Sequence, residues 1–346
     1  MERLTAIAVS GGIDSLVAAH LLKEQGHNII PIHFTTGYET HSLDIVSHIS
    51  AQLGIEVNLI DCSIEFKNKV VDYFTQTYRA GQTPNPCMVC NPSIKFGTVF
   101  DFARKRGASF IATGHYARIS RDNKGNCHLL KGIDSKKDQS YFLALMSQKQ
   151  LSTACFPLGD ITKPQVKQLA VEKGLEPAQK RESQDVCFTR DKTYGEFLSL
   201  QPGFEPKPGL IEDVNGRILG EHKGLHLFTI GQRRGINCPA SEPYYVVDID
   251  PEQNRLRVGF KRNLLSSECK ITDINWINKK PNVPLNVFTR VRYRHHATAS
   301  KLFPVNAKTA IVRFEKPQSA ITPGQCAVFY QDDEVIGGGW ISPGRV

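Results

Sequence analysis

Short apolar runs alternate with amphipathic stretches through the first half of the chain. The run from Leu4 to Val9 predicts a buried strand, and the stretch that follows, up to Gly26, has the apolar spacing of a helix. The alternation continues with "HNIIPIHF", "IEVNLID" and "ASFIAT" as strands, and with "SLDIVSHISAQLG", "KVVDYFTQTYR" and "KFGTVFDFARKRG" as helices. Strands alternating with helices indicate a parallel sheet covered on both faces. We therefore expect an α/β fold with a doubly wound parallel sheet, of the Rossmann-like kind.

The pattern changes near residue 200. The segment "QPGFEPKPG" (201–209) predicts a linker, and long helical periodicity is lost beyond it. "PYYVVDIDPEQNRLRVGF" predicts a hairpin, and the segments from "LNVFTRVRYRHHATASKLFPV" to "EVIGGGWI" predict a small β-barrel. In "RVRYRHH" a strand would place Arg290, Arg292 and Arg294 on one face. We predict an α/β domain at 1–200, a small, mostly β central domain at 201–263 and a C-terminal β-barrel at 264–346.

Composition is that of a globular protein. The 346 residues are 40% hydrophobic and 22% charged, which suits two or three domains. No apolar run is long enough to span a membrane, and "MERLTAIAVSGG" does not resemble a secretory signal, so we expect a cytoplasmic protein without a membrane partner. The net charge of +9 favours a polyanionic partner such as nucleic acid, although excess charge also serves solubility.

A glycine turn joins the first strand to the first helix. Gly11 and Gly12 let the backbone approach a ligand closely, and the N–H groups that open the helix would point at an anion. No lysine follows the glycines, so this is not the loop of the common NTPases. A plain turn capped by Asp14 or Ser15 is the alternative. The string "SGGIDS" after an apolar strand is similar to the loop of the N-type ATP pyrophosphatases, which implies adenylation chemistry.

The cysteines are a second source of candidate chemistry. The nine cysteines lack the dense, even spacing of a disulfide framework. Cys87 and Cys90 form a C-x-x-C pair in "TPNPCMVCNPSIKFG", where the prolines and asparagines predict a loop. Cys187, in "KRESQDVCFTR", is by itself typical of a core cysteine. Structural zinc would need a fourth ligand that the sequence does not offer, and a thioredoxin-like pair would open a helix after a strand.

Eight motifs follow one another between about residue 5 and about residue 341. They are "SGGIDS", "GQTPNPCMVCNPSIKF", "ATGHYAR", "KKDQSYFL", "ESQDVCF", "HLFTIGQRRG", "RYR" and "TPGQCAVFY". In this order they resemble the tRNA-specific 2-thiouridylases. The resemblance implies an enzyme that uses ATP and Mg²⁺ to adenylate the C2 oxygen of the wobble uridine in tRNA and then replaces that oxygen with sulfur. It also implies a sulfur donor, either sulfide or a persulfide carrier protein.

The resemblance assigns roles to the residues at matching positions. Cys90 matches the family's nucleophile, and Cys187 matches its persulfide carrier. The positions that match ATP contacts are Ala8, Val9, Ser10, Gly11, Gly12, Ile13, Asp14, Ser15, Phe34 and Gly114. The target base would be held at Asn85, Pro86 and Cys87. Further tRNA contacts match His115, Lys137, Asp138, Gln139, Arg292, Tyr293 and Gln325.

One position departs from the family pattern. Cys87 stands where many members have an aspartate, so a carboxylate able to act as a base is missing there. Cys87, Cys90 and Cys187 are the three thiols that a [4Fe–4S] cluster with one open iron would need, and that iron would carry the sulfide. The alternative is a persulfide relay on Cys187 and Cys90, with Cys87 as a bystander. Two other possibilities remain at this point: an enzyme of this loop class that adenylates a small metabolite, and a tRNA-binding protein without catalysis.

Overall fold

The computed structural model of the chain describes residues 4–178, 186–190 and 192–344. Its strands are β1 (Leu4–Ala8), β2 (Asn28–Thr35), β3 (Asn58–Asp61), β4 (Phe110–Ala112), β5 (Ala117–Arg121), β6 (Cys127–Lys131), β7 (Ala154–Cys155), β8 (Gly209–Asp213), β9 (Ile218–His222), β10 (Tyr245–Asp250), β11 (Arg255–Gly259), β12 (Leu265–Trp276), β13 (Leu285–Arg290), β14 (Thr298–Pro304), β15 (Ala310–Ser319), β16 (Cys326–Gln331) and β17 (Glu334–Ile341). Its α-helices are α1 (Ile13–Glu24), α2 (Ser42–Leu53), α3 (Ser63–Phe66), α4 (Asp72–Arg79), α5 (Pro86–Cys90), α6 (Phe100–Arg104), α7 (Gln148–Thr153), α8 (Lys163–Glu172) and α9 (Tyr194–Ser199). None of the helices in these ranges is long and apolar enough to cross a bilayer.

The first sheet has five parallel strands in the order β3-β2-β1-β4-β7. The order reverses at β1, which pairs with β2 on one side and with β4 on the other. At such a reversal the connections leave in opposite directions and open a crevice at the carboxyl ends of the strands. The predicted doubly wound parallel sheet is confirmed, and β1 leads directly into this crevice.

Both faces of the parallel sheet are covered by apolar side chains. Neighbouring residues of β1 point to opposite faces, so Ala6 joins one core with Ile32 and Phe66, whereas Ile7 joins the other with Leu16 and Val166. The second core packs α1 and α8 on the same side of the sheet, which places the starts of both helices near the carboxyl end of β1.

The stretch that carries the first two candidate thiols is helical, so the prediction of a loop there is wrong. Helix α5 continues without a break as a π-helical segment, Asn91–Val99, and then as α6. Pro86 is tolerated because it occupies the first turn, where its missing N–H has no partner to lose. Gln150 stabilises the π-helical segment, since its Nε2 donates to the carbonyl oxygens of Pro92 and Phe96 at 2.6 and 3.2 Å. We call α5 together with Asn91–Val99 the thiol helix.

The second half of the chain is built from two further sheets. A four-stranded sheet has the order β10-β11-β8-β9 and contains the predicted hairpin, β10 paired antiparallel with β11. Six strands, β12, β15, β14, β13, β16 and β17, close into the predicted barrel through the β12–β17 pairing. The hairpin β5–β6 joins the barrel sheet from the first half of the chain, through the pair Leu130 and Glu334. The boundaries near residues 200 and 263 stay predictions.

The predicted strand over "RVRYRHH" is wrong beyond Arg290, where β13 ends. The chain turns there because the backbone N–H of His295 donates to the carbonyl oxygen of Arg292 at 3.1 Å. The Arg290 Nε donates to the carbonyl oxygen of His295 at 2.9 Å and holds the turn. The three arginines therefore do not share one face of a strand, and alternation of charge alone did not reveal the turn.

Candidate functional site

The loop of residues 10–15, called the phosphate loop below, links β1 to α1. Gly11 has a φ of 81°, a left-handed conformation that favours glycine, and a Cβ there would lie 2.9 Å from Cγ2 of Ile45. The Ser15 hydroxyl donates to the carbonyl oxygen of Gly12 at 2.8 Å and accepts from the backbone N–H of Ser10 at 3.2 Å. Gly12 occupies the capping position before α1 and provides no side-chain hydrogen bond, so the amides of the first turn of α1 are available to an anion at the loop.

Asp14 does not cap the helix, so the alternative of a plain Asp14 cap is wrong. Its two carboxylate oxygens accept from Nζ of Lys163 at 2.7 and 2.8 Å, and Oδ1 also accepts from the Tyr116 hydroxyl at 2.8 Å. Lys163 opens α8 and is only 5% exposed. Sequence reasoning missed Lys163 because 149 residues separate it from Asp14. The capping-box pattern of Thr162 and Gln165 signals the start of a helix there but not its partner.

The remaining predicted ATP contacts lie around the same crevice. Ala8 ends β1 and Phe34 lies near the end of the adjacent strand β2. Gly114 follows β4 and is packed against the phosphate loop: a Cβ on it would lie 3.0 Å from both the carbonyl carbon of Asp14 and the backbone nitrogen of Ser15. The parallel strands thus bring together residues that are about a hundred positions apart in the sequence.

The three predicted site cysteines share one neighbourhood. Cys87 and Cys90 lie one turn apart on the thiol helix, and Cys187 lies close enough for its charge to act on Cys90. Burial raises the pKa of the Cys90 thiol to about 12 and that of Cys187 to about 11, and it also raises the pKa of Cys87. Cys87 and Cys187 are nevertheless reached by solvent, whereas Cys90 is half-buried. Residues 182–185 of the motif that contains Cys187 lie outside the described residues.

Lys95 is a residue that sequence reasoning missed. Its ammonium lowers the pKa of each of the three thiols, and so it opposes the effect of burial. Lys95 lies in the π-helical segment, whose hydrogen bonds join residues i and i+5, so its five-residue spacing from Cys90 corresponds to one hydrogen-bonded turn. The signal in the sequence is a lysine five positions after a cysteine. This spacing indicates a contact only if the segment is known to be π-helical.

His115 connects the thiol helix with the phosphate loop. It follows Gly114 directly, and its ring lies 6.4 Å from the ring of Phe96, the neighbour of Lys95. Thr113 Oγ1 lies 2.7 Å from its Nδ1. Burial, with the charge of Lys95, lowers the pKa of His115 well below its usual value, so the imidazole is neutral at physiological pH.

Two predicted base-holding residues and one predicted tRNA contact meet near the start of the thiol helix. Asn85 and Pro86 are buried there, and the backbone N–H of Asn85 donates to the Tyr73 hydroxyl at 3.2 Å. Gln325, from the barrel, donates through Nε2 to the carbonyl oxygens of Thr83 and Pro84 at 3.1 and 2.9 Å. Gln325 thus ties the barrel to the segment that leads into Cys87.

The other predicted tRNA contacts make hydrogen bonds and ring contacts within the chain. Asp138 is 5% exposed and faces the Arg290 guanidinium at 3.4 Å. Gln139 accepts from the backbone N–H of Tyr116 at 3.0 Å, and Arg292 donates to Thr322 Oγ1 at 2.5 Å. The Tyr293 ring lies 4.3 Å from that of Phe142, and Lys137 is half-buried. These residues support the junction between the first half and the barrel, and their contacts with tRNA stay predictions.

The thiols do not form a preset metal site. Within residues 4–178, 186–190 and 192–344, no three His, Cys, Asp or Glu side chains are arranged to hold a metal ion. The three cysteines have the chemistry of iron–sulfur ligands but not the arrangement. For Mg²⁺ the donor chemistry fits better, because Asp14 provides a carboxylate at the phosphate loop.

Family models match the chain in three consecutive parts. Residues 3–191 match the tRNA methyl transferase HUP domain, residues 197–260 the tRNA methyl transferase PRC-barrel domain, and residues 266–341 the aminomethyltransferase beta-barrel domain.

Similar curated proteins extend over almost the whole chain. A tRNA-specific 2-thiouridylase MnmA of Desulfosudis oleivorans is 49% identical, over 98% of this chain and 94% of that protein. Proteins of the same name from Pelobacter propionicus and Geobacter metallireducens are 43% and 41% identical, each over 97% of this chain and over 97% and 95% of their own lengths. The order of the motifs, the phosphate loop and the grouped thiols agree with these matches. The chain belongs to the tRNA-specific 2-thiouridylase family.

Proposed function

We propose that this protein is an ATP-dependent tRNA sulfurtransferase, which adenylates the C2 oxygen of the wobble uridine and replaces that oxygen with sulfur to give 2-thiouridine. The family models carry descriptions of methyl transferases, whereas the similar proteins are named thiouridylases. The side chains favour the second chemistry, because a phosphate loop and grouped thiols serve activation by ATP and transfer of sulfur.

A continuous path of contacts between the two chemistries is the observation that carries the proposal. Gly114 packs against Asp14 and Ser15 of the phosphate loop, and the next residue, His115, lies beside Phe96 of the thiol helix. Lys95 on that helix acts on all three thiols. Packed residues therefore link the phosphate loop to the thiol helix, which supports activation of the base and transfer of sulfur at one site.

The first step is activation of the base. The C2 oxygen attacks the α-phosphorus of ATP, the bond between the α and β phosphates breaks, and pyrophosphate leaves with the electron pair. The open amides of α1 bind the phosphates, and Ser10 and Ser15 add hydroxyl groups. Mg²⁺, when bound, neutralises phosphate charge, and Asp14 is the residue that would hold it. The uridine has to leave the base stack to reach Asn85 and Pro86.

The second step transfers sulfur. We propose that Cys187, which solvent reaches, attacks the outer sulfur of a persulfide carrier protein and becomes a persulfide, while the thiol of the carrier leaves. Sulfide, when it is the donor, attacks C2 directly without passing through Cys187. The terminal sulfur of the Cys187 persulfide attacks C2, and the C2–O bond breaks as AMP leaves. The Cys90 thiolate then attacks Cys187 Sγ, which forms a Cys90–Cys187 disulfide and leaves the second sulfur on C2. A cellular thiol reduces the disulfide, so two electrons are supplied in each turnover.

An iron–sulfur cluster on Cys87, Cys90 and Cys187 is a second route for the sulfur. Its support is that the three thiols interact electrostatically and that Cys87 replaces the aspartate of many family members. Because the thiols are not arranged as ligands, we derive no step through a cluster. Iron and acid-labile sulfide in anaerobically purified protein, compared with Cys87→Ser, decide between the routes: about four iron atoms per chain, lost in the variant, would establish the cluster.

We also propose that the chain binds tRNA across the junction between the thiol helix and the barrel, in the cytoplasm, where its substrate is found. The net charge of +9 favours this polyanion, and Gln325 places the barrel next to the base-holding segment. Binding that is dominated by phosphate contacts should weaken steeply as the salt concentration rises.

The test of the proposed function is formation of 2-thiouridine in a transcribed tRNA with a wobble uridine. ATP and either a persulfide donor or sulfide are added in separate reactions, and the digested nucleosides are measured by mass spectrometry. A tRNA with cytidine at the wobble position and a reaction without ATP are the controls. Cys155→Ser, a change of a half-buried free cysteine elsewhere in the chain, should retain activity. Formation of AMP without 2-thiouridine, with sulfide and with a persulfide donor alike, would refute the proposal.

A further inference from the structure

The phosphate loop lacks the lysine that the common NTPase loops carry after their glycines. The structure brings a lysine to the loop from elsewhere. Lys163, at the start of α8, has its Nζ 2.7 and 2.8 Å from the two carboxylate oxygens of Asp14, inside the first turn of α1. The side chain of Lys163 is 7% exposed, whereas that of Asp14 is 33% exposed. The carboxylate therefore lies at the opening and the ammonium lies behind it.

The backbone holds Lys163 firmly in this place. The capping box of Thr162 and Gln165 fixes the start of α8, and the backbone N–H of Lys163 donates to Oδ2 of Asp134 at 2.9 Å. Val166, one turn later, packs in the same core as Leu16 of α1. The ammonium is thus positioned by two helices rather than by a flexible surface side chain.

Burial of this ammonium demands a permanent negative partner. An unpaired buried lysine is strongly destabilising, so Asp14 balances its charge in the protein without ATP. The uncapped N–H groups in the first turn of α1 attract an anion to a position next to Asp14. When phosphate arrives there, it is a further negative partner for Lys163 beside the Asp14 carboxylate.

We propose that Lys163 is the phosphate-binding lysine of this loop, and that Asp14 holds its ammonium in position between turnovers. On this account, the ammonium donates hydrogen bonds to the phosphate oxygens of bound ATP, which are the groups that carry charge during adenylation. The inference rests on the proposed use of ATP, but it concerns the phosphates alone and is tested with pyrophosphate as well.

The experiment compares three ligands by titration calorimetry on the full chain: ATP, inorganic pyrophosphate and adenosine. We expect Lys163→Met to weaken the binding of ATP and pyrophosphate by about tenfold or more, since a hydrogen bond to a charged group is lost. Adenosine has no phosphate, so its affinity should not change. Lys163→Arg should restore part of the phosphate affinity.

Helices α1 and α8 provide a matched control. Lys173, at the other end of α8, pairs with Glu24 of α1, so Lys173→Met also removes a lysine–carboxylate contact between the same helices. It should leave the affinity for all three ligands unchanged. Equal losses in Lys163→Met and Lys173→Met would show that only helix packing matters and would overturn the proposal.

A double variant separates phosphate binding from charge balance. Lys163→Met leaves the Asp14 carboxylate without its ammonium, which is by itself a reason for this variant to unfold or to repel phosphate. Asp14→Asn/Lys163→Met removes both charges, and its melting temperature reports folding. If it binds pyrophosphate as tightly as Asp14→Asn does, Lys163 only neutralises Asp14 and the proposal fails. Wild-type protein that binds pyrophosphate but not ATP would contradict the proposed function. The affinities of the variants for pyrophosphate would then decide the role of Lys163.

Discussion

The phosphate loop and the thiol helix meet at Gly114 and His115, yet they are prepared for chemistry in opposite ways. The phosphate loop has its charges in place before any substrate binds, since Asp14 and Lys163 form an ion pair at its entrance. The thiol helix keeps its reactive groups neutral, because burial raises the pKa of Cys90 to about 12 and only Lys95 on that helix opposes this effect. The site for the anion is therefore preformed, whereas the reactivity of the sulfur has to be raised by the ligand that binds.

The first prediction changes a thiol and leaves the phosphate loop unchanged, and its effect on activity should be the strongest. Cys187→Ser should lower formation of 2-thiouridine by about a thousandfold or more, because the atom that carries the sulfur is lost. The affinity for ATP should not change, since the phosphate loop does not contain this thiol. Thiouridine formed with a persulfide donor is measured by mass spectrometry and affinity by calorimetry, with Cys155→Ser as the control. A parallel loss of ATP binding would mean that the two regions are one unit.

The second prediction changes the contact where the regions meet. In Gly114→Ala the new Cβ would lie 3.0 Å from backbone atoms of Asp14 and Ser15, so the loop or β4 has to shift. Such overpacking costs about 1–3 kcal/mol, and we expect ATP to bind about tenfold more weakly. Alkylation of Cys90 by iodoacetamide should keep its rate, and a slower alkylation would show that strain passes from the loop to the thiol helix.

The third prediction concerns the effect of Lys95 on the reactivity of Cys90. Lys95 lowers the pKa of Cys90, whereas Cys62, Cys87 and Cys187 raise it when they ionise. Lys95→Met should therefore raise the pKa of Cys90 and move the alkylation rate profile to higher pH.

Lys95→Arg retains the positive charge and is the control for this change. It should return the alkylation profile of Cys90 towards that of the wild-type protein. If the profiles of Lys95→Met and the wild type coincide, then burial alone sets the reactivity of the thiol.

The smallest expected effect tests the support of the π-helical segment. Gln150→Ala removes the hydrogen bonds to Pro92 and Phe96, and also the capping box that Gln150 forms with Ser147 at the start of α7. It should lower the free energy of unfolding by about 1–2 kcal/mol, as judged by urea titration. Gln168→Ala, which removes an exposed hydrogen bond to Glu172, should change little. A Gln150 variant as stable as the Gln168 variant would show that the π-helix forms without this support.

Contiguous signals in the sequence predicted the phosphate loop well. The apolar strand, the glycines and the helix of residues 4–26 follow one another, so local rules place the loop at the carboxyl end of β1. The same rules placed Gly114 at the end of β4. The pairing of Asp14 with Lys163 lay beyond them, because only the packing of α1 on α8 brings these residues together.

Local signals misled at the thiol helix and after β13. Prolines at 84, 86 and 92 suggested a loop, but Pro86 occupies the first turn of a helix, and Gln150 satisfies the carbonyl group of Pro92 from a distance. Alternating arginines suggested a longer strand, but Arg290 bonds to the backbone of its own turn. In both places a side chain donates hydrogen bonds to backbone carbonyl groups, and the spacing of apolar and polar residues does not indicate such bonds.

The hairpin β5–β6 has a consequence for how the molecule can be divided. Cys127 and Leu129 of β6 share one apolar core with Val328, Tyr330 and Val335 of the barrel, and Tyr141 donates to the carbonyl oxygen of Cys326 at 2.8 Å. A chain that stops near residue 200 would lack the barrel side chains of that core, and β6 would have no neighbouring strand on one side. Recombination, insertion or truncation at the linker therefore disturbs the catalytic half as well, so the two ends of this gene are expected to be inherited together.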